Sequence, residues 1–255
     1  MTLSYDTAGD GPALLLLHAG ICDRRMWDPQ WRPLADAGYQ VIRCDLRGFG
    51  ETPAPDGPYN NADDVVALLD ALGIERAALI GASYGGKTSL EIAARRPDRV
   101  SALALLCAGS DSHEPSDALV ALGEREEALV EAGDLDAALQ LMVDSWIGPE
   151  GDDTVREAVH VMQRRAYEVQ LAAGDVAQLR PPYELSAITA PTLAVSGGQD
   201  IEDFRRIAEG LPARLADARH LELPWAGHLP SMERPAEVTE LLTAFLGERL
   251  APAVR

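Results

Sequence analysis

The sequence predicts an α/β fold in which a doubly wound, mostly parallel sheet carries a helical cap inserted between two strands. Short apolar runs that end at Gly, Asp or His alternate with amphipathic helical patterns, which is typical of such a sheet. A strand pattern is absent from residues 111–187, and this predicts the cap. The length of 255 residues suits one domain of this class.

Five apolar runs predict strands that are buried on both faces of the sheet, because they are short, continuous and closed by turn residues. They are residues 13–17, 41–42, 77–80, 102–107 and 192–196. An alternating pattern that ends at residues 221–223 predicts one more strand before the last helix.

Two helices are predicted by apolar residues at the i, i+3, i+4, i+7 spacing. The first covers residues 65–72 and is followed by Gly73, a residue that commonly ends a helix. The second covers residues 238–246 and follows Pro235, which suits the first turn of a helix. Strands and helices in alternation favour the doubly wound sheet.

Residues 111–187 interrupt this alternation with two helical stripes, one over residues 135–146 and one over residues 155–166. We therefore divide the chain into a core, residues 1–110 and 188–255, and a cap, residues 111–187. Residues 111–150 contain eleven acidic residues and one basic residue, Arg125, a net charge of −10. We interpret this charge as a solvated helix face.

Composition limits the classes of function. Acidic residues number 41 and basic residues 22, so the net charge is −19, and 47% of the residues are hydrophobic. The hydrophobic share is that of a globular chain, and the charge would repel nucleic-acid phosphates. No apolar run reaches the roughly 18 residues of a membrane span. We expect a small-molecule substrate, with neither nucleic acid nor a membrane as partner.

The cysteines and the start of the chain indicate the compartment. Residues 1–10 have neither a basic segment nor a long apolar one, so we expect no secretory signal. Cys22, Cys44 and Cys107 form an odd, sparse set without metal-ligand spacing. We expect reduced thiols, a cytoplasmic protein and no metal site. The oligomeric state stays open, a homodimer included.

The strongest motif is Gly81-Ala82-Ser83-Tyr84-Gly85, which follows a predicted strand and precedes a helical pattern. This is the context of a G-x-S-x-G turn. Such a turn holds the serine hydroxyl above the sheet at a helix N-terminus, where backbone N–H groups stabilise negative charge. The motif therefore predicts Ser83 as a nucleophile.

A serine nucleophile needs a base and an acid that orients the base. The motif predicts the chain order serine, acid, histidine. Asp200 follows the strand predicted at residues 192–196, and His228 lies in a Gly-containing loop before the last helix. Asp200 could instead cap the helix that follows it. Asp111, which follows the preceding strand, is the alternative acid.

The loop His18-Ala19-Gly20 follows the first buried strand and can supply a backbone N–H to the site. We expect the N–H groups of Gly20 and Tyr84 to form an oxyanion hole. We interpret His18 itself as a residue that packs the loop. The remaining histidines have no metal-ligand spacing and are not assigned to the chemistry: His113, His160 and His220.

Together these motifs resemble the α/β-hydrolase family over nearly the whole chain. The segments that carry the resemblance are residues 18–20, 45–50, 81–86, 197–200, 226–228 and 233–235. The resemblance implies Ser83 as nucleophile, His228 as base and Asp200 as orienting acid, a cap over the active site, and no cofactor. The chain is similar to small serine esterases and lactonases, including 3-oxoadipate enol-lactonases.

We therefore expect a serine hydrolase that cleaves a small carboxylic ester or lactone through an acyl-enzyme on Ser83. A carbon–carbon bond hydrolase or a thioesterase would use the same three residues. A non-catalytic receptor for a small ligand is the alternative from another class.

The candidate substrate contacts are Trp146, Trp225 and Lys87. Lys87 is the only lysine and either faces the pocket or extends along its helix to solvent. We expect it to lie outside the pocket, and we therefore expect a preference for uncharged substrates.

Overall fold

The computed structural model describes residues 3–174 and 176–250, in which a seven-stranded sheet is covered by helices. Its strands are β1 (Tyr5–Ala8), β2 (Ala13–Leu17), β3 (Gln40–Cys44), β4 (Ala77–Ala82), β5 (Val100–Leu106), β6 (Thr192–Gly197) and β7 (Ala218–Leu223). They lie in the order β1-β3-β2-β4-β5-β6-β7, with β1 antiparallel to β3 and every other pair parallel. The predicted, mostly parallel sheet is confirmed.

Helices cover both faces of the sheet. They are α1 (Asp28–Asp36), α2 (Asn61–Ala71), α3 (Tyr84–Arg95), α4 (Asp117–Glu131), α5 (Leu135–Trp146), α6 (Asp153–Leu171), α7 (Glu202–Gly210), α8 (Pro230–Glu233) and α9 (Pro235–Arg249). Alternate residues of β2 divide between two cores, since successive side chains of a strand point to opposite faces. Leu14 and Leu16 pack with α1 and α9, whereas Leu15 and Leu17 pack with α2 and α3. This arrangement confirms the doubly wound fold.

Four of these elements, β1, α1, α4 and α8, have no counterpart in the sequence analysis. Strand β1 lies at the antiparallel edge of the sheet and alternates exposed with half-buried residues, so it lacks the continuous apolar run of a central strand. Helix α4 buries none of its side chains fully, so its sequence has no strong apolar stripe.

The insertion between β5 and β6 contains α4, α5 and α6, which lie within the segment named the cap, residues 111–187. The two helical stripes predicted in this segment fall on α5 and α6. After α6 the chain forms an isolated parallel bridge from Gln178 to Tyr59. Within residues 3–174 and 176–250, no helix combines the length and apolar character that a membrane span needs.

The start of the cap is attached to the core through Asp203, a buried residue in the first turn of α7. Its carboxylate accepts hydrogen bonds from Ser116 N (2.7 Å), Ser116 Oγ (2.6 Å) and His113 Nε2 (2.9 Å). Burial alone would raise the pKa of Asp203, but the bonds from Ser116 and His113 lower it from 3.8 to about 2. Ser116 is also the N-cap of α4, so this carboxylate fixes the point where the cap begins.

We expect Asp203→Asn to lower the free energy of unfolding by about 2 kcal/mol, because hydrogen bonds to a charged acceptor are lost. The folded-state pKa lies below the unfolded one. The stabilisation is therefore complete above about pH 4 and is lost as the pH falls through about 2. Urea unfolding at pH 7 and at pH 3 measures both effects. Glu202→Gln, at an exposed position beside it, is the control. Equal stability of Asp203→Asn and wild type at pH 7 would contradict this role.

Candidate active site

Ser83 occupies a strained turn between β4 and α3. Its backbone has φ +47° and ψ −108°, a conformation that residues with a side chain rarely adopt. Among the described residues other than glycine, only Cys107 also has a positive φ. Strain of this kind costs about 1–3 kcal/mol and is concentrated at functional sites. The turn places Ser83 directly before the N-terminus of α3.

Two glycines make this turn possible. A Cβ on Gly85 would lie 2.2 Å from Leu17 O, and a Cβ on Gly81 would lie 2.5 Å from Gly85 O. Neither position has room for a side chain. The Gly85 N–H also donates to His18 O at 3.0 Å. The turn therefore packs directly against the end of β2 and the loop that follows it.

Gly20 and Tyr84 lie beside each other as a result. A Cβ built on Gly20 would be 3.6 Å from Tyr84 Cβ. The preceding N–H, that of Ala19, donates to Met26 Sδ at 3.2 Å and is directed into the core. The structure thus brings the two predicted oxyanion residues together on either side of the turn.

His18 fixes the shape of this loop. Leu46 N donates to His18 Nε2 at 3.0 Å, so the proton is on Nδ1, which contacts Ala19 O at 2.8 Å. Burial lowers the pKa of His18 and keeps the ring neutral. These contacts agree with the interpretation of His18 as a packing residue.

His228 and Asp200 form a buried pair at the carboxyl edge of the sheet. His228 Nδ1 lies 2.9 and 2.8 Å from the two carboxylate oxygens of Asp200, and the two side chains are 2% and 1% exposed. The N-cap of α7 is Ile201, and no side chain caps that helix. Asp111 instead pairs with Lys87 at 2.5 Å. The carboxylate beside His228 is therefore that of Asp200.

Two aromatic rings, which also contact each other, pack against the imidazole of His228. Its ring centre is 4.4 Å from that of Trp146, the last residue of α5, and 4.3 Å from that of Phe204 in α7. The backbone N–H of His228 also donates to Trp146 O at 3.1 Å. Sequence reasoning did not identify Phe204, whose role depends on the direction of α7 after Asp200.

The loop that carries His228 is anchored by Glu233, a buried residue that sequence reasoning also missed. Its carboxylate accepts backbone N–H bonds from Gly227 (2.7 Å), Leu229 (3.1 Å) and Gly148 (3.2 Å). The first two residues flank His228, and the third follows α5. Glu233 thus ties the loop to the end of α5. Its only sequence signal was its place within residues 226–235.

Ser83 and His228 line one cavity of about 260 Å³ between the core and the cap. The core also contributes Gly20, and the cap contributes Trp146. The other lining residues are Ala19, Ile21, Glu126, Met142, Gln163, Tyr167 and Gln170. Three of these, Glu126, Gln163 and Tyr167, give the cap side of the cavity a polar surface that sequence reasoning did not predict.

Lys87 and Trp225, two of the candidate substrate contacts, do not line this cavity. The ammonium group of Lys87 is bound to Asp111. Trp225 donates from Nε1 to Glu237 at 3.0 Å, and Arg234 covers its ring at 4.5 Å. Both side chains are held by neighbours outside the cavity. This corrects Trp225 as a candidate contact, whereas for Lys87 it agrees with the expectation that the side chain lies outside the pocket.

Cys107, Asp200 and His228 are close enough to be tested as a metal site, since their donor atoms lie within 4.8 Å of one another. A metal would need the thiolate of Cys107. Burial, together with the charge of Asp200, raises the pKa of Cys107 well above its usual range. In addition, Asp200 already binds His228 Nδ1. This donor set favours a hydrogen-bonded pair over metal ligation.

The chain is similar in sequence to proteins of known family. The model of the alpha/beta hydrolase fold family matches residues 12–146. A protein of Variovorax paradoxus that is named as a carbamate hydrolase is 32% identical, and the match covers 100% of this chain and 99% of that protein.

Two solved structures are similar over almost the whole chain. The enol-lactonase of Burkholderia xenovorans is 28% identical with a TM-score of 0.78, and the match covers 96% of each chain. A thermophilic esterase of Thermogutta terrifontis is 26% identical with a TM-score of 0.81, and the match covers 96% of this chain and 93% of that one.

We expect Glu233→Gln to lower activity by at least about tenfold through kcat, with little change in KM, because an amide has one acceptor oxygen for three N–H donors. The measurement is steady-state hydrolysis of a short-chain ester at a temperature where circular dichroism shows the variant to be folded. Glu237→Gln, at a nearby exposed carboxylate, is the control. A folded Glu233→Gln variant with wild-type kcat would show that Glu233 does not position His228.

Proposed function

The chain belongs to the α/β-hydrolase fold family, and from this premise we propose that it is a serine hydrolase that cleaves a small carboxylic ester or lactone. The observation that carries the proposal is the cavity that Ser83 and His228 line together, with Asp200 bound to the Nδ1 of His228. The names of the related enol-lactonase and esterase support an ester or lactone as the bond cleaved.

The first half of the proposed reaction forms an acyl-enzyme. Because Asp200 engages Nδ1, His228 Nε2 is the nitrogen that accepts the proton of Ser83 as its Oγ attacks the carbonyl carbon. The N–H groups of Gly20 and Tyr84 stabilise the oxyanion, each by about 3 kcal/mol. His228 then donates its proton to the leaving oxygen, and the carbon–oxygen bond breaks.

The second half reverses these roles with water. His228 accepts a proton from water, whose oxygen attacks the acyl carbon, and then returns a proton to Ser83 Oγ as the carboxylic acid leaves. Asp200 stays ionised and stabilises the imidazolium in both halves. The rings of Trp146 and Phe204 keep the imidazole in one orientation throughout.

The residues that line the cavity favour an uncharged substrate. The described lining residues include no lysine or arginine, and Lys87 is bound to Asp111. A substrate carboxylate would enter without a cation to pair with, which is costly in a partly buried site. The proposal is therefore an esterase or lactonase for neutral molecules.

Ser83→Ala should abolish hydrolysis of p-nitrophenyl butyrate, because it removes the nucleophile. A fluorophosphonate probe should label the wild-type protein once, and mass spectrometry of the peptides should locate the label at Ser83. Ser112→Ala, at an exposed serine, should be labelled and active like wild type. Labelling and activity that persist in Ser83→Ala would refute the proposed function.

Asp200→Asn should leave the protein folded but lower kcat by up to about 10⁴, the effect of losing control of the histidine tautomer. Asp111→Asn should have little effect, because Asp111 binds Lys87 and not His228. Burst and steady-state rates of p-nitrophenol release measure both variants. The reverse result would make Asp111 the orienting acid.

A further inference from the structure

Three cap residues, Glu126, Gln163 and Tyr167, give the cavity a polar wall on its cap side. The Tyr167 hydroxyl of α6 donates to Glu126 Oε1 of α4 at 2.6 Å. Gln163 lies one turn earlier in α6 than Tyr167. Gln163 and Tyr167 are buried, with 4% and 6% of their surfaces exposed. All three line the cavity.

A tyrosine hydroxyl carries a single proton, and Tyr167 gives that proton to Glu126. The hydroxyl of Tyr167 therefore has no proton left for a substrate. The two other polar groups on this wall, Gln163 Oε1 and the carboxylate of Glu126, are acceptors.

Gln163 Oε1 is buried and has no hydrogen-bond partner in the described part of the chain. A buried acceptor without a donor is unfavourable, so an unpaired acceptor on a residue that lines the cavity calls for a ligand that donates a hydrogen bond. Burial raises the pKa of Glu126, although the bond from Tyr167 opposes that rise. This wall therefore offers a substrate two hydrogen-bond acceptors, Gln163 Oε1 and the carboxylate of Glu126.

Among the residues that line the cavity, Trp146 also has a buried polar atom, Nε1, without a partner in the described part of the chain. It is a donor, and every ester or lactone carries acceptor oxygens. It therefore suits the whole substrate class and does not discriminate within it. The acceptor ends of Gln163 and Glu126 are what an ordinary alkyl ester leaves unpaired.

We propose that Gln163 and Glu126 form an acceptor subsite, which binds an N–H or O–H donor on the part of the substrate that lies under the cap. This inference rests on the proposed function, because it assigns the substrate class of the same cavity. Substrates with a hydroxyl or an N–H group bind there, alkyl chains leave Gln163 Oε1 unpaired, and carboxylates are repelled by Glu126.

Two matched series of esters test the subsite, one for each side of the ester bond. The alcohol series is propyl, 2-hydroxyethyl and carboxymethyl butyrate. The acyl series is methyl pentanoate, methyl 4-hydroxybutanoate and monomethyl succinate. In each series the terminal methyl group is replaced by a hydroxyl, or the terminal ethyl group by a carboxylate of similar size. Hydrolysis is followed in a pH-stat, and kcat/KM is compared within each series.

In one of the two series we expect the hydroxyl ester to exceed the alkyl ester by about tenfold in kcat/KM, the effect of one buried hydrogen bond. The carboxylate ester should be the poorest. Butyrylcholine, the butyrate ester of choline, adds a positive charge without an N–H or O–H donor. It should not reach the rate of the hydroxyl ester.

Variants connect the preference to its residues. Gln163→Met keeps a side chain of similar length and removes the acceptor, so the preference for the hydroxyl ester should disappear. Glu126→Gln removes the charge, so the carboxylate ester should gain at least about fivefold relative to the alkyl ester. Glu127→Gln, at the exposed neighbour of Glu126, should change neither ratio.

Failure of this inference is distinct from failure of the proposed function. If wild type hydrolyses the alkyl esters and Ser83→Ala does not, the proposed function stands. Equal rates for hydroxyl and alkyl esters in both series would then overturn the subsite. So would a hydroxyl preference that persists in Gln163→Met, or a choline ester that matches the hydroxyl ester. If no ester is hydrolysed, both proposals fail together.

Discussion

The contact on which the site depends is the packing of the Ser83 turn against the end of β2. Gly85 has no space for a Cβ because Leu17 O lies 2.2 Å from that position, and its N–H bonds to His18 O. This approach places the N-terminus of α3 beside the loop of Gly20. The strain at Ser83 is maintained because the surrounding sheet fixes both ends of the turn. A bulkier residue at Gly81 or Gly85 would displace the turn and separate the serine from the loop that completes its site.

Buried carboxylates organise the other half of the site. Asp200 binds the imidazole of His228, Glu233 binds the backbone on both sides of it, and Asp203 binds the start of the cap. Each of these side chains is almost fully enclosed, and each is supplied with N–H or O–H donors that compensate for lost hydration. Because Glu233 also holds Gly148, the position of His228 and the end of α5 are set by one group.

The sequence could predict what depends on local pattern. Apolar runs located the central strands, and the turn motif located Ser83, while chain order located Asp200 and His228. It could not predict β1, whose edge position removes the apolar signal, or Glu233, whose three bonds join segments far apart in the chain. It also misplaced Trp225 relative to the cavity, because a side chain's direction depends on neighbours such as Glu237 that no spacing rule reveals.

The acidic cap shows how position outweighs number. The eleven acidic residues of 111–150 were interpreted as a solvated face, and α4 indeed buries none of its side chains fully. Charges on such a face are screened within about 8 Å at physiological salt. Glu126 is the only one of the eleven that lines the cavity, where it bonds to Tyr167. In the proposed subsite, one half-buried carboxylate beside the substrate would have more influence on substrate choice than the ten outside it. In the proposed mechanism the core provides the groups for bond cleavage, while the inner surface of the cap provides those that distinguish one substrate from another.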